Sequence, residues 1–98
     1  MTATDTAHDA LIEVLSLTRQ EHENGLVIYR NHLGERHRVH GPAVIYPGGT
    51  CAWYQNGKLH RTDGPAITYA VGTCYWYLRG RELSEEEFEA MTLANKMI

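Results

Sequence analysis

Residues 41–63 and 64–86 align without a gap at a shift of 23. The identities are Gly41/Gly64, Pro42/Pro65, Ala43/Ala66, Tyr46/Tyr69, Gly49/Gly72, Thr50/Thr73, Cys51/Cys74, Trp53/Trp76, Tyr54/Tyr77 and Gly57/Gly80. Ten matches in 23 positions, with Gly, Pro, Trp and Tyr all in register, are not a coincidence of composition. A worn copy precedes them, with Gly34, His37 and Arg38 one shift before Gly57, His60 and Arg61. Internal repetition at this spacing requires stacked units that share one continuous core. A chain of 98 residues then forms one small domain, residues 1–98.

Each unit reads as strands and turns. "AVIY" and "TCAWYQ" are rich in β-branched and aromatic residues, and "PGG" between them is a short Gly-bearing hairpin loop. Asn56-Gly57 suits both left-handed positions of a type I′ turn, with Leu33-Gly34 and Arg79-Gly80 as weaker echoes. The expected sheet, over 25–83, is an antiparallel meander in which each strand pairs with its sequence neighbour.

Helices are expected at both ends, giving an α+β fold. Over 7–22, Ala7, Leu11, Val14, Leu15 and Thr18 share a helical face, with Asn24-Gly25 as the stop. Over 84–96, Ser84 and Glu87 form a capping box, three glutamates occupy the first turn, and Phe88 and Met91 are expected to be buried. This helix replaces the repeat phrase and caps the array.

"WYQNGKLHRTDGPA", residues 53–66, resembles the variant MORN-type repeat, as does the 23-residue period. More narrowly, the chain is similar to small MORN-variant proteins of tailed phages of actinobacteria, over residues 25–90. The resemblance implies about three β-meander repeats serving as a platform for protein contacts, with a bacterial host protein as the partner. The first unit departs from the pattern: His40 stands where the next unit has Asp63, and no Trp-Tyr pair is present.

The repeated "HRVHGPA" and "HRTDGPA" hold the polar residues that could carry chemistry. His37, His40, His60 and Asp63 are of the types that bind Zn²⁺ or serve a nuclease-type centre, so a metal-dependent hydrolase is one alternative. A one-off catalytic site has no reason to be duplicated, however. The favoured reading makes His37, Arg38, Gly41, Pro42, His60, Arg61, Asp63, Gly64 and Pro65 joints between units. The Asp carboxylate would bond nearby backbone N–H, Gly would take a positive φ, and Pro would fix the turn. No nucleophile motif or phosphate loop is present, and the expectation is a non-enzymatic protein with no cofactor or metal.

Cys51 and Cys74, equivalent positions at least two strands apart, lie too far from one another for a disulfide and are expected to be buried free thiols. Strand alternation puts Trp53 and Tyr54, and likewise Trp76 and Tyr77, on opposite faces, so one face exposes an aromatic stripe beside Arg38 and Arg61. That is the composition of an interface, for a host protein or for a second copy in a homodimer. The same arginines could instead lie over Trp rings as braces. An antitoxin or immunity protein is the other alternative.

Charge argues against nucleic acid. Residues 28–63 carry five basic against two acidic side chains, but the whole chain has a net charge of −3. No apolar run approaches the ~20 residues of a membrane span, and "MTATDTAHD" is not a secretory signal, so the expected location is cytoplasmic.

Overall fold

The structure, a computed structural model, describes residues 16–97. Nine short strands are followed by one C-terminal helix. They are β1 (Thr18–Glu21), β2 (Val27–Arg30), β3 (Val44–Ile45), β4 (Cys51–Ala52), β5 (Tyr54–Gln55), β6 (Lys58–Leu59), β7 (Ile67–Thr68), β8 (Cys74–Leu78) and β9 (Arg81–Leu83). The helix is Glu85–Met97. Seven strands form one antiparallel sheet in the order β1-β2-β3-β4-β7-β8-β9, and β5 and β6 form a separate ribbon.

The break in strand order corrects the simple meander. At Trp53 the chain leaves the seven-stranded sheet: Ala52 pairs with Ile67, and Tyr54 pairs with Leu59. The Trp53 N–H still reaches Ala66, at 2.7 Å, while its carbonyl accepts from His60, at 2.9 Å. One aromatic segment therefore serves two sheets, and β4 finds β7 as its neighbour. The ribbon is not isolated either. Arg38 N–H donates to the Tyr54 carbonyl on one side, and Arg61 N–H donates to the Tyr77 carbonyl on the other.

Backbone bonds recur at the 23-residue step. Ala43 and Ala66 N–H donate to the Ala52 and Tyr75 carbonyls, both at 2.9 Å. Gly57 and Gly80 N–H donate to the Arg36 and Leu59 carbonyls, at 2.9 and 2.8 Å. Tyr46 and Tyr69 N–H donate to the Thr50 and Thr73 carbonyls across three-residue loops, with Gly49 and Gly72 at φ 101°. A Gly in the left-handed region at the end of a three-residue loop restores strand register.

The Asn56-Gly57 turn of the ribbon and the Arg79-Gly80 turn between β8 and β9 are both type I′. Asn56 and Gly57 have φ of 51° and 81°, and Arg79 and Gly80 have 52° and 83°. Leu33-Gly34 differs: only Gly34 has a positive φ, and the Asn31 side-chain oxygen accepts from the N–H of Leu33 and of Glu35. Leu resists the left-handed region, so an Asx-type bond shapes that turn instead.

The core is thin. Ile28, Ala43, Val44 and Ala52 form its buried centre, with Leu26, Tyr54, Leu59 and Ile67 packed around it. Successive strands place Ile28, Val44, Ala52, Ile67 and Tyr75 directly opposite one another, so a single register row crosses five strands. Val44 is fully buried, and such a side chain contributes on the order of 1.5–3 kcal/mol.

Three expectations about the ends change. The 7–22 helix falls largely on residues outside those described, but its last part is the strand β1, paired with β2 around Asn24-Gly25. The Asn-Gly stop is a hairpin turn: the Asn24 oxygen accepts from Leu26 N–H, and Gly25 has φ 94°. The sheet accordingly starts at Thr18 instead of 25. At the other end the helix spans Glu85–Met97 with Ser84 as its cap. It packs on β8 and β9 and buries Phe88, whereas Met91 is 47% exposed, at the wall of an open cavity beside Leu78 and Leu83.

Candidate functional site

The repeated His-Arg-x-x-Gly-Pro phrase makes a recurring set of side-chain contacts. Arg61 extends across the Trp53 ring, its guanidinium carbon 3.8 Å from the ring centroid. Its Nη1 donates to the Pro65 carbonyl at 3.2 Å and its Nε to Asp63 Oδ1 at 2.7 Å. Arg38 does the same one unit earlier, 4.1 Å over Tyr29 and bonded to the Pro42 carbonyl at 3.3 Å. Arg36 lies 5.4 Å from the Tyr54 ring centroid. A guanidinium on an aromatic face contributes ~0.5–1 kcal/mol at exposed sites and more when desolvated.

Gly41 and Gly64 have a different role from the one the sequence implied. Neither has a positive φ. A Cβ on Gly41 would lie 2.7 Å from the Arg38 guanidinium carbon, and one on Gly64 would lie 2.9 Å from that of Arg61. These glycines make room for the arginine. The Asp63 carboxylate likewise bonds the Arg61 side chain rather than the turn backbone, and at 74% exposure that pair contributes at most ~1 kcal/mol.

The histidines tie each joint to the next turn. His37 Nδ1 accepts the Asn56 N–H at 3.0 Å, and His60 Nδ1 accepts the Arg79 N–H at 2.9 Å. Burial, and secondarily the nearby Arg79 charge, hold the His60 imidazole below its usual pKa. A neutral ring is the form that can accept this bond.

The expected metal ligands do not gather. Among the described residues no three His, Cys, Asp or Glu side chains converge on a point that could hold an ion. His37 and His60 each use one ring nitrogen on a backbone N–H, and Asp63 is bonded to Arg61. Cys51 and Cys74 are free thiols separated by Thr68 of β7. They are half-buried instead of buried, and each S–H contacts a turn carbonyl, of Gly49 and Gly72 respectively.

Trp53, Tyr54, Trp76 and Tyr77 are all half-buried. Burial, and next the Glu82 carboxylate opposite it, hold the Tyr77 phenol above its usual pKa. The repeat gives Trp76 no arginine of its own, because Ser84 stands one shift beyond Arg61. Buried Leu83 faces Trp76 across the ladder, at the edge that the helix covers.

The more open aromatics are Tyr46, Tyr69 and Tyr75, each about 40% exposed. Tyr46 and Tyr69 are repeat equivalents, and the Tyr69 and Tyr75 rings meet edge to face at 5.8 Å. A groove of about 310 Å³ runs between Tyr46, Tyr54 and Tyr69, with Thr50, Ala52 and Ile67 completing its lining. Sequence alternation put Tyr54 on this face; Tyr46 and Tyr69 were legible only as repeat positions. No helix among the described residues is long and apolar enough to cross a membrane. Comparison of the chain with family models, curated proteins and solved structures finds no match.

Proposed function

We propose that the chain is a non-enzymatic protein-interaction module, a small phage accessory protein that binds a bacterial host protein in the host cytoplasm and inhibits or redirects it. The observation that carries the interaction is the tyrosine groove. Its described lining holds three tyrosines and no charged residue. Tyrosine supplies large, stiff contact area with a polar tip, which is why it is enriched at interfaces. Such a groove accepts a partner segment with uncharged, apolar side chains. The bacterial host as the source of that partner rests on the resemblance to MORN-variant phage proteins.

The proposed surface keeps Tyr54 from the expected set and moves away from Arg38 and Arg61, whose guanidinium groups already cover rings of this chain. Partner capture from host lysate tests the reading. A protein retained by the wild-type chain should be lost with the Tyr46→Ala/Tyr69→Ala pair, provided the pair keeps its circular dichroism spectrum. Amide exchange should slow around the groove in the complex. Retention of the partner by the folded double variant overturns the reading, as does a groove protected only by a second copy of the chain.

A further inference from the structure

The turn of the ribbon and the turn between β8 and β9 border a second concave surface with different chemistry. Two adjoining cavities, of about 420 and 550 Å³, share His60, Thr62 and Arg79 in their walls. Gln55, Asn56 and Lys58 complete the first. Leu78, Arg81, Leu83 and Met91 complete the second. Three cations and an imidazole therefore face a common space. No carboxylate lines it among the described residues, in a chain whose net charge is −3.

Lys58 and Arg79 have no acidic partner among the described residues. Glu82 alternates to the other side of β9 from Arg81 and Leu83, and pairs with Tyr77. The Glu87 carboxylate feels the Arg81 charge but is already engaged by the Ser84 N–H. The Lys58 stem lies along Gly80, with carbons 3.7–3.8 Å from where a Cβ would be, which sets this side chain beside the Arg79-Gly80 turn.

Arg79 adds an independent sign. It stands in the left-handed region at φ 52°, where its repeat equivalent is Asn56. Asn tolerates that region and Arg resists it. Backbone strain at a residue that lines both cavities and carries a fork of donors fits a ligand site better than a turn optimised for stability.

From this juxtaposition we propose that Lys58, His60, Arg79 and Arg81 form a binding site for a small organic phosphate, its phosphoryl group among the cations and its apolar body over Leu78, Leu83 and Met91. A phosphate monoester carries close to two negative charges at neutral pH and three strong acceptor oxygens, which suits three cations better than a monocarboxylate does. The volume is that of a small-molecule site. The site shares no lining residue with the tyrosine groove and does not rest on that reading.

Titration calorimetry of the full chain, in low-salt buffer free of phosphate, tests it with phenyl phosphate, inorganic phosphate and benzoate. Phenyl phosphate should bind, and both other compounds should bind at least about tenfold more weakly. Arg79→Asn suits the turn and should fold; it should lower phenyl phosphate affinity by at least about tenfold, while Arg19→Gln on the far edge strand leaves it unchanged. No binding of phenyl phosphate at about 10 mM overturns the proposal. So does equal binding of benzoate, an affinity unaffected by Arg79→Asn, or binding to phosphatidic acid vesicles without binding to phenyl phosphate in solution.

Discussion

Arg61 lies over Trp53, 3.8 Å from guanidinium carbon to ring centroid, and a Cβ on Gly64 would come within 2.9 Å of the same carbon. The arginine thus sits against an aromatic ring and beside a residue that must lack a side chain. Its Nη1 also caps the Pro65 carbonyl, so ring, glycine and proline act on one side chain.

Gly64→Ala should therefore destabilise the fold by about 1–2 kcal/mol, since the guanidinium must leave the ring or its carbonyl. The cost should largely disappear in an Arg61→Ala background. Urea midpoints of the four chains in that double-mutant cycle check this. An equal cost with and without Arg61 contradicts the packing role.

His60 should make stability pH-dependent with a definite sign. Its folded pKa is lowered, by burial first and by Arg79 second. The unfolded chain takes up a proton near pH ~6.5, and the folded chain does so only at lower pH. Stability then falls as pH drops through the unfolded value and continues to fall until the folded value is reached. Urea midpoints at about pH 8 and pH 5 should differ more for the wild-type chain than for His60→Gln.

Arg79→Asn should raise stability by about 0.5–1 kcal/mol, because it relieves a bulky residue in the left-handed region. Asn56→Arg should lower it by a similar amount. Thermal unfolding of both variants measures the pair, and effects of the same sign would contradict the strain argument.

Ser84→Ala should cost about 1 kcal/mol. It removes the acceptor of the Glu87 N–H, at 3.1 Å, and half of a reciprocal pair with the Glu87 carboxylate on the Ser84 N–H, at 3.0 Å. A loss of about 4–8 °C in Tm is expected for a domain of this size, with reduced helical signal in circular dichroism.

Turn chemistry was the most legible layer of the sequence. Asn56-Gly57 and Pro47-Gly48-Gly49 imposed their geometry locally, as did the Ser84/Glu87 box. Three features needed the fold. Thr18–Glu21 is an exposed edge strand, polar on both faces, so no alternation marked it. The transfer of the chain between sheets at Trp53 depends on a long-range bond to Ala66. The Gly41 and Gly64 requirement comes from an arginine three residues earlier folding back, which no local propensity encodes. For the candidate sites, Tyr54 followed from alternation, whereas Lys58 and Arg79 share one cavity, and Arg79 and Arg81 the adjoining one, because the Lys58 stem packs on the Arg79-Gly80 turn.

The His–turn contacts each reach into the next unit, and several backbone bonds between units recur one step later, Arg38 to Tyr54 as Arg61 to Tyr77 and Gly57 to Arg36 as Gly80 to Leu59. Residues 41–63 consequently behave as a closed module whose incoming and outgoing bonds match. An in-frame duplication of that stretch would add two strands to the main sheet, lengthening it by ~10 Å, and a second ribbon beside the first, without requiring any new type of contact. Such a chain can change its span in fixed increments by recombination alone, while the edge strand and the helix keep their places at its two ends.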